Sequence, residues 1–389
     1  MASSISIPSR STTLPPTHRA LLLNSTRDPY DITVVSNETP QPGPGSAIVR
    51  ILASGVLTYN NKVYSGKKPY PYPTPFVPGS GSIGRIAAVH EDATQLTPGT
   101  LVFFDCFIRA RDDPNALILS GLSSGFTKGS TALMSGPWRN GTYAEYSKVP
   151  LENCFPLDET RLCTELGYTI DHLMYLFTIS VPFGGLRSVD LRAGEKVLVT
   201  PAAGMYGSAA VVAALSMGAR VVAIGRNLDT LNVFKSWPAY SEGRLTIVQN
   251  TGDVEADIRS LTKDGTDMAD VFFDISPGKA IGSPHYKSCI QALRRGGRVS
   301  YMGAHFELPL PAMAMTLNDI TFKAKWMYEP EDVRAMIKLA EAGYLKLGEE
   351  NGIKTVGKFP LEKFAEAFDV CSKMSGPGLQ VIIAPSMDE

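Results

Sequence analysis

The residues best suited to proton chemistry stand together in Leu57-Thr58-Tyr59-Asn60-Asn61-Lys62-Val63-Tyr64, where a phenol, a carboxamide and an ammonium follow one another closely. An ammonium near a phenol favours the phenolate, so Lys62 is expected to lower the pKa of Tyr59 and make it a proton donor to an enolate or oxyanion. Asn60 offers a further amide donor. The alternative is that Tyr59 packs against a substrate while Lys62 is solvated. Tyr64, Tyr70 and Tyr72 are reserve acids, although Pro69-Tyr-Pro-Tyr-Pro-Thr-Pro75 reads first as a rigid extended connector.

A second group of residues is suited to holding a phosphate. The run from Val197 stops at small residues, the pattern Ala202-x-Gly204-x-x-Gly207 opens a helix, and a second β-branched run ends at Gly225-Arg226. Strand, tight turn, helix and strand in this spacing form the layout of a dinucleotide-binding βαβ unit. Gly204 lets the backbone approach a pyrophosphate, and Gly207 lets the helix lie close to the strand. Ala202 fits the turn with a negative φ, and Met205 and Tyr206 begin the helix whose N-terminus receives the pyrophosphate. An acid at the end of the second strand would hydrogen-bond the ribose of NAD; here Arg226 stands there, and Asp229 is the first acid beyond it. A guanidinium forks onto a phosphate, which favours NADPH over NADH. Were Arg226 only a solvated surface charge, the preference would stay open.

These groups need elements to carry them. From Arg19 to about Thr160 the chain is rich in short strand-like runs cut by Gly and Pro. From about Glu165 to Met327 strands alternate with helices, with strands expected at 196–199, 220–224, 245–248, 271–273, 297–302 and 320–324. Open α/β sheets bind ligands beyond the carboxyl ends of their strands, so Asp274, Ile275 and Ser276, and Met302 and Gly303, are further cofactor candidates. The stretch 323–328, with Trp326, reads as an edge strand serving either as a dimer surface or as a cofactor wall. Helices are expected at 333–342 and 361–374, and a last strand at 378–383. The stretch 107–138 reads as a long loop, either shaping a substrate pocket or inserted at the surface.

Composition narrows the function classes. The chain has 389 residues, enough for two domains, and 37 basic against 38 acidic side chains. That balance gives no electrostatic case for nucleic acid or an anionic membrane. Five scattered cysteines suit a reducing compartment better than a disulfide framework. No apolar run approaches a membrane span. The first 17 residues, rich in Ser, Thr and Pro and without acids, overlap in composition with a transit peptide, but Pro8, Pro15 and Pro16 oppose an amphipathic helix. A flexible tail and a cytoplasmic location are expected.

The order of these parts resembles the medium-chain dehydrogenase/reductase family. Val77-Pro-Gly-Ser-Gly-Ser-Ile-Gly84, Gly141-Thr-Tyr-Ala-Glu-Tyr146, Leu191-Arg-Ala-Gly-Glu-Lys-Val-Leu-Val199, Gly296-Gly-Arg-Val-Ser-Tyr-Met-Gly303 and Phe359-Pro-Leu-Glu-Lys-Phe-Ala-Glu-Ala-Phe368 are similar to successive family segments. The resemblance implies an α/β fold: a GroES-like β-rich catalytic domain over 18–164 and 329–389, and a doubly wound Rossmann domain binding NADP(H) over 165–328. It also places Asp274, Ser276, Met302 and Gly303 near the ribose and nicotinamide.

Many members of this family use a catalytic zinc, which needs Cys, His or carboxylate ligands. At the positions matching the family's first ligands this chain has Leu57, Ser80 and Gly81, and no Cys or Asp lies between Leu173 and Val181. Between Thr100 and Leu133 there is one cysteine, Cys106, where a structural zinc would need four. His90, His172, His285 and His305 are too dispersed to replace them, so no metal is expected. The resemblance is therefore to the zinc-lacking branch, with its quinone and enoyl reductases. In the zinc branch a hydroxyl at the position of Tyr59 relays a proton towards a His at the position of Lys62.

Without a Lewis acid, catalysis rests on hydride positioning and on donors aimed at the developing oxyanion. That suits NADPH-dependent reduction of a conjugated C=C bond or a quinone of a small molecule, by a monomer or homodimer. A zinc-free carbonyl reductase or alcohol dehydrogenase, and a non-catalytic NADPH-binding protein, are the alternatives.

Overall fold

The computed structural model describes residues 13–305 and 307–386. The expected tail therefore lies outside the described residues up to position 12, and the chain is already in a strand by Thr17. Two compact units emerge. The first runs to Phe177 and takes in Thr355–Met374 and the chain from Gln380; the second comprises Thr178–Lys354 with Ser375–Leu379.

The first unit is the β-rich one. Its strands are β1 (Thr17–Ser25), β2 (Asp31–Glu38), β3 (Ser46–Gly55), β4 (Ser82–Val89), β5 (Leu101–Phe104), β6 (Phe107–Arg109), β7 (Leu117–Leu119), β8 (Tyr146–Pro150) and β9 (Cys154–Pro156). Strands β1 and β2 form an antiparallel hairpin, in which His18 faces Asn37. The main sheet, closed by β16 (Lys354–Phe359) and β17 (Leu379–Ile383), runs β16-β17-β3-β4-β5-β9, with β8 also paired to β3. The stretch 107–138 is not a structureless loop: β6 and β7 pair as a hairpin, and the helix Lys128–Ser135 is capped by the Thr127 side chain. Its alternating apolar residues are too few to stand out in the sequence, yet Ile108 and Ile118 are buried.

In the second unit β10 (Lys196–Thr200), β11 (Arg220–Gly225), β12 (Leu245–Gln249), β13 (Ala269–Asp274), β14 (Leu293–Tyr301) and β15 (Thr321–Ala324) form one parallel sheet. The order β12-β11-β10-β13-β14-β15 is that of the doubly wound dinucleotide fold, with its topological switch between β10 and β13. Strands buried on both faces need continuous apolar runs, and every residue of Lys196–Thr200 is buried. Phe272, Tyr286, Leu293 and Val299 anchor a core shared by the sheet and the helix His285–Gln291. The sheet edge is β15, which ends at Ala324; Trp326 lies beyond it and is 48% exposed.

Both expected domain boundaries move. The helix Pro330–Glu341 belongs to the second unit, where Asp332 pairs with Arg187 at 2.7 Å and a side chain at Gly184 would collide with Tyr328. The short piece Ser375–Leu379 also joins it, and the Gly378 amide donates to Ser208 Oγ at 3.1 Å. Tertiary contacts, invisible in a change of composition, set these limits.

Candidate active site

In the second unit the turn after β10 leads into the helix Met205–Ser216, with Gly204 at its N-cap. No atom lies within 4 Å of the point where a Gly204 Cβ would stand, so the backbone there is open to approach. At Gly207 a Cβ would fall 1.8 Å from the Pro201 carbonyl oxygen, and only glycine lets helix and turn come this close. The buried Ala202 anchors the turn by donating its N–H to the Ile224 carbonyl at 2.8 Å. The first bond of the helical ladder is from Ser208 N to Gly204 O, so the amides of Met205, Tyr206 and Gly207 precede the ladder at the positive end of the helix.

Beside this turn lies a cavity of about 620 Å³, lined by Thr200, Pro201, Gly225, Arg226, Asn250, Thr251, Ser276, Lys279 and His285 among others. Arg226 and Lys279 are exposed cations, and no carboxylate lines the cavity. Gln249 Nε2 donates to the Arg226 carbonyl at 3.0 Å and fixes the backbone that carries the guanidinium. Lys279 was missed in the sequence, although the rule that points to strand ends led to within three residues of it. These residues fit a phosphorylated dinucleotide: open backbone at the helix N-terminus, and two cations without a competing acid.

Asp274 has a different place from the one expected. It is 0% exposed, and its carboxylate accepts from Ser276 Oγ at 2.7 Å and Tyr286 OH at 2.9 Å, with His285 Nε2 at 3.2 Å. Burial, and then the Asp274 charge, push the Tyr286 phenol far above its ordinary range. Asp274 thus ties the segments after β13 and β14 through buried hydrogen bonds. Ser276 lines the cavity, but its hydroxyl is also committed to Asp274. Gly303 is required by this knot, because a Cβ there would stand 2.5 Å from Asp274 Oδ2, and the Met302 amide donates to the Asp274 carbonyl at 2.8 Å. Met302 and Gly303 are both half-buried.

In the first unit Tyr59 caps the short helix Asn60–Tyr64 and is half-buried. The cation at its ring is not Lys62. Lys68 Nζ lies 3.9 Å from the Tyr59 ring centroid and 5.0 Å from that of Tyr70, the two rings meeting edge to face at 6.1 Å. Lys62 is exposed on the helix. Asn60 is 1% exposed and internally satisfied: Oδ1 accepts from the Leu57 amide at 2.6 Å and from Tyr143 OH at 3.3 Å, and Nδ2 donates to Tyr64 OH at 3.2 Å. It is a structural amide, not a donor to substrate. Tyr64, wholly buried, donates to the Gly121 carbonyl at 2.9 Å, and burial raises its pKa far above the usual range. Tyr72 donates to the Val63 carbonyl at 2.8 Å, and burial raises its pKa as well. Among the tyrosines of this segment, Tyr59 and Tyr70 share the ammonium.

The positions a catalytic zinc would use do not fit the metal. Leu57 and Ser80 are each 2% exposed, and a side chain at Gly81 would run into the Phe177 ring at 2.5 Å. An alkyl chain, a hydroxyl, a hydrogen and a phenyl ring offer no zinc ligand set. Among the described residues no group of three or more His, Cys, Asp or Glu side chains is placed to hold a metal ion.

Comparison with known proteins matches both halves of this architecture. The alcohol dehydrogenase GroES-like domain matches residues 43–159, and the zinc-binding dehydrogenase domain matches residues 206–342. An alcohol dehydrogenase of Moraxella sp. (strain TAE123) is 26% identical over 334 residues, covering 85% of this chain and 90% of its own length. The acryloyl-coenzyme A reductase of Metallosphaera sedula is 24% identical over 285 residues, 73% of this chain and 76% of that protein. The alcohol dehydrogenase TADH from Thermus sp. ATN1 shares the fold with a TM-score of 0.73 at 22% identity, over 94% of this chain and 99% of that one. The two domain matches take in well over half of the sequence, in the order and on the units that the structure separates, and the chain belongs to the medium-chain dehydrogenase/reductase family of oxidoreductases.

Proposed function

We propose that this protein is a zinc-independent, NADPH-dependent reductase of an activated C=C bond, an enone, enoyl or quinone substrate of small size. The observation that carries the reading is the replacement of metal ligands by Leu57, Ser80 and Gly81 while a phenol, Tyr59, stands two residues beyond under an ammonium. NADPH, when bound, supplies the hydride. The amides of Met205, Tyr206 and Gly207 would hold its pyrophosphate, and Arg226 with Lys279 would hold the 2′-phosphate. When the β-carbon is reduced, negative charge would develop on the conjugated oxygen; Tyr59 would stabilise it and give its proton there, leaving an enol that tautomerises to the saturated carbonyl product.

An NADPH-oxidation screen across enones, quinones, enoyl thioesters and ketones tests the function. Turnover of conjugated substrates supports it. Ketone-dependent oxidation with little enone activity supports instead a zinc-free carbonyl reductase, the reading favoured by relatives named alcohol dehydrogenases. Cofactor binding without turnover of any of these would leave a non-catalytic binding protein. For the accepted enone, Tyr59→Phe is expected to lower kcat by about a hundredfold or more, the usual worth of a positioned proton donor. An unchanged kcat removes Tyr59 from the mechanism.

A further inference from the structure

One wall of the cavity beside the β10 turn is a single loop, residues 277–284, all of which line it except Gly278. Lys279 is the one cation of this loop. Little within the loop holds it still. It contains a single short turn, Gly278–Ala280, a glycine at positive φ, Gly282, and an apolar side chain, Ile281, that is 55% exposed. A segment with so few buried contacts keeps one conformation only if its ends are held.

Both ends are held, and by the same carboxylate. At the start, Ser276 Oγ donates to Asp274 Oδ1 at 2.7 Å, and the Ala304 amide donates to the Ser276 carbonyl at 3.0 Å. At the end, the His285 ring makes a bridge: Nε2 lies 3.2 Å from Asp274 Oδ1, and Nδ1 lies 2.7 Å from Ser283 Oγ. A carboxylate only accepts, which assigns the hydrogen of the neutral ring to Nε2 and leaves Nδ1 to accept from the Ser283 hydroxyl.

The anchor is itself fixed. Asp274 is 0% exposed and His285 4%, so their bond is shielded from water, and Tyr286 OH holds the other carboxylate oxygen at 2.9 Å. Asp274 ends β13 in register with Thr200, the last residue of β10, so the bridge fixes the loop against the strand that leads into the cofactor turn.

We propose that His285 is a positioning residue for the 2′-phosphate of NADPH: by linking Ser283 to Asp274 it holds the loop 277–284, and with it Lys279, in place before the cofactor arrives, and so sets the preference for NADPH over NADH. This assignment rests on the proposed NADPH site. An untethered loop has to be ordered as the phosphate binds, and that cost is subtracted from the affinity. NADH has no phosphate for Lys279 to hold and is spared the loss.

Titration of the full-length protein with NADPH and with NADH, followed by nicotinamide fluorescence, tests the assignment. The unaltered protein is expected to bind NADPH about tenfold or more tightly than NADH, the worth of a charge-assisted bond to phosphate. His285→Ala and Ser283→Ala are each expected to weaken NADPH binding by about fivefold and to spare NADH, the cost of ordering a freed loop. Ser283→Thr keeps the hydroxyl and should keep the affinity. In a Lys279→Met background His285→Ala should cost nothing further, because the two residues act through one contact. Ser283 is half-buried at the end of the loop, so its variants read the tether even where His285→Ala does not fold. Equal losses with both cofactors make His285 a general support of the fold and overturn the proposal, as does a loss that adds in full to that of Lys279→Met. An NADPH preference undiminished by Ser283→Ala overturns it while leaving the NADPH site standing. Equal affinity of the unaltered protein for the two cofactors removes the 2′-phosphate site, and the proposal with it.

Discussion

Tyr59 shows how a residue's chemistry depends on a neighbour that chain order does not reveal. Lys62 is close in sequence but exposed, whereas Lys68 lies 3.9 Å above the ring. An ammonium over the ring stabilises the negative charge that grows on the phenol as it gives up its proton. Lys68→Met is therefore expected to lower kcat for the accepted enone by about severalfold, and Lys62→Met to leave it unchanged, both read by NADPH oxidation. A loss that follows Lys62, or none with Lys68→Met, refutes the assignment. The same local logic applies at the cofactor. Arg226→Asp and Lys279→Met are each expected to cost about tenfold or more in kcat/KM for NADPH while sparing NADH, because a charge-assisted bond to phosphate is worth about 1.5–3 kcal/mol. Equal losses with both cofactors would place the two cations elsewhere.

At the scale of elements, the turn between β10 and its helix assigns its two glycines different tasks. Gly207 is a packing requirement, since a methyl would lie 1.8 Å from the Pro201 oxygen. Gly207→Ala is expected to destabilise the protein by about 1–3 kcal/mol or more, as overpacking does, seen as a lower Tm without cofactor. Gly204 has negative φ and open space beside it, so Gly204→Ala should leave Tm of the cofactor-free protein nearly unchanged and weaken NADPH binding in a titration. The reverse pattern would contradict the placement of the pyrophosphate. Asp274 belongs to this scale too. Its carboxylate closes β13, and its bonds to Ser276 and Tyr286 make it a tie between segments.

For the whole molecule, the sharpest expectation concerns metal. With Leu57, Ser80, Gly81 and Phe177 at the relevant positions, elemental analysis of purified protein should find no stoichiometric zinc, and chelator treatment should leave NADPH turnover unchanged. One zinc per chain with chelator-sensitive turnover would overturn the zinc-independent reading. Much of the architecture was legible beforehand. The six strands of the parallel sheet fell within a few residues of the expected positions, and the central ones, such as β10 with every residue buried, were legible because strands buried on both faces are continuously apolar. The units' limits were not legible. The helix Pro330–Glu341 reads the same whichever unit it joins, and its ion pair to Arg187 settles the matter. The structure within 107–138 was hidden for a similar reason, since strands of three residues carry too little periodicity to register.

The sequence by itself determined the strand–turn–helix that suits a dinucleotide, the basic residue at the end of the second strand, and the presence of Leu57, Ser80 and Gly81 where the family resemblance implies metal ligands. Each is a matter of residue type at a short, fixed spacing, and local geometry follows from it. Only the tertiary structure decided that Lys68 and not Lys62 lies over the Tyr59 ring, that Asn60 and Asp274 are spent on internal bonds, and that Lys279 joins Arg226 on one cavity. Those are contacts between segments far apart along the chain or turned by packing, and packing is set by the sum of all side chains, not by any one stretch of them.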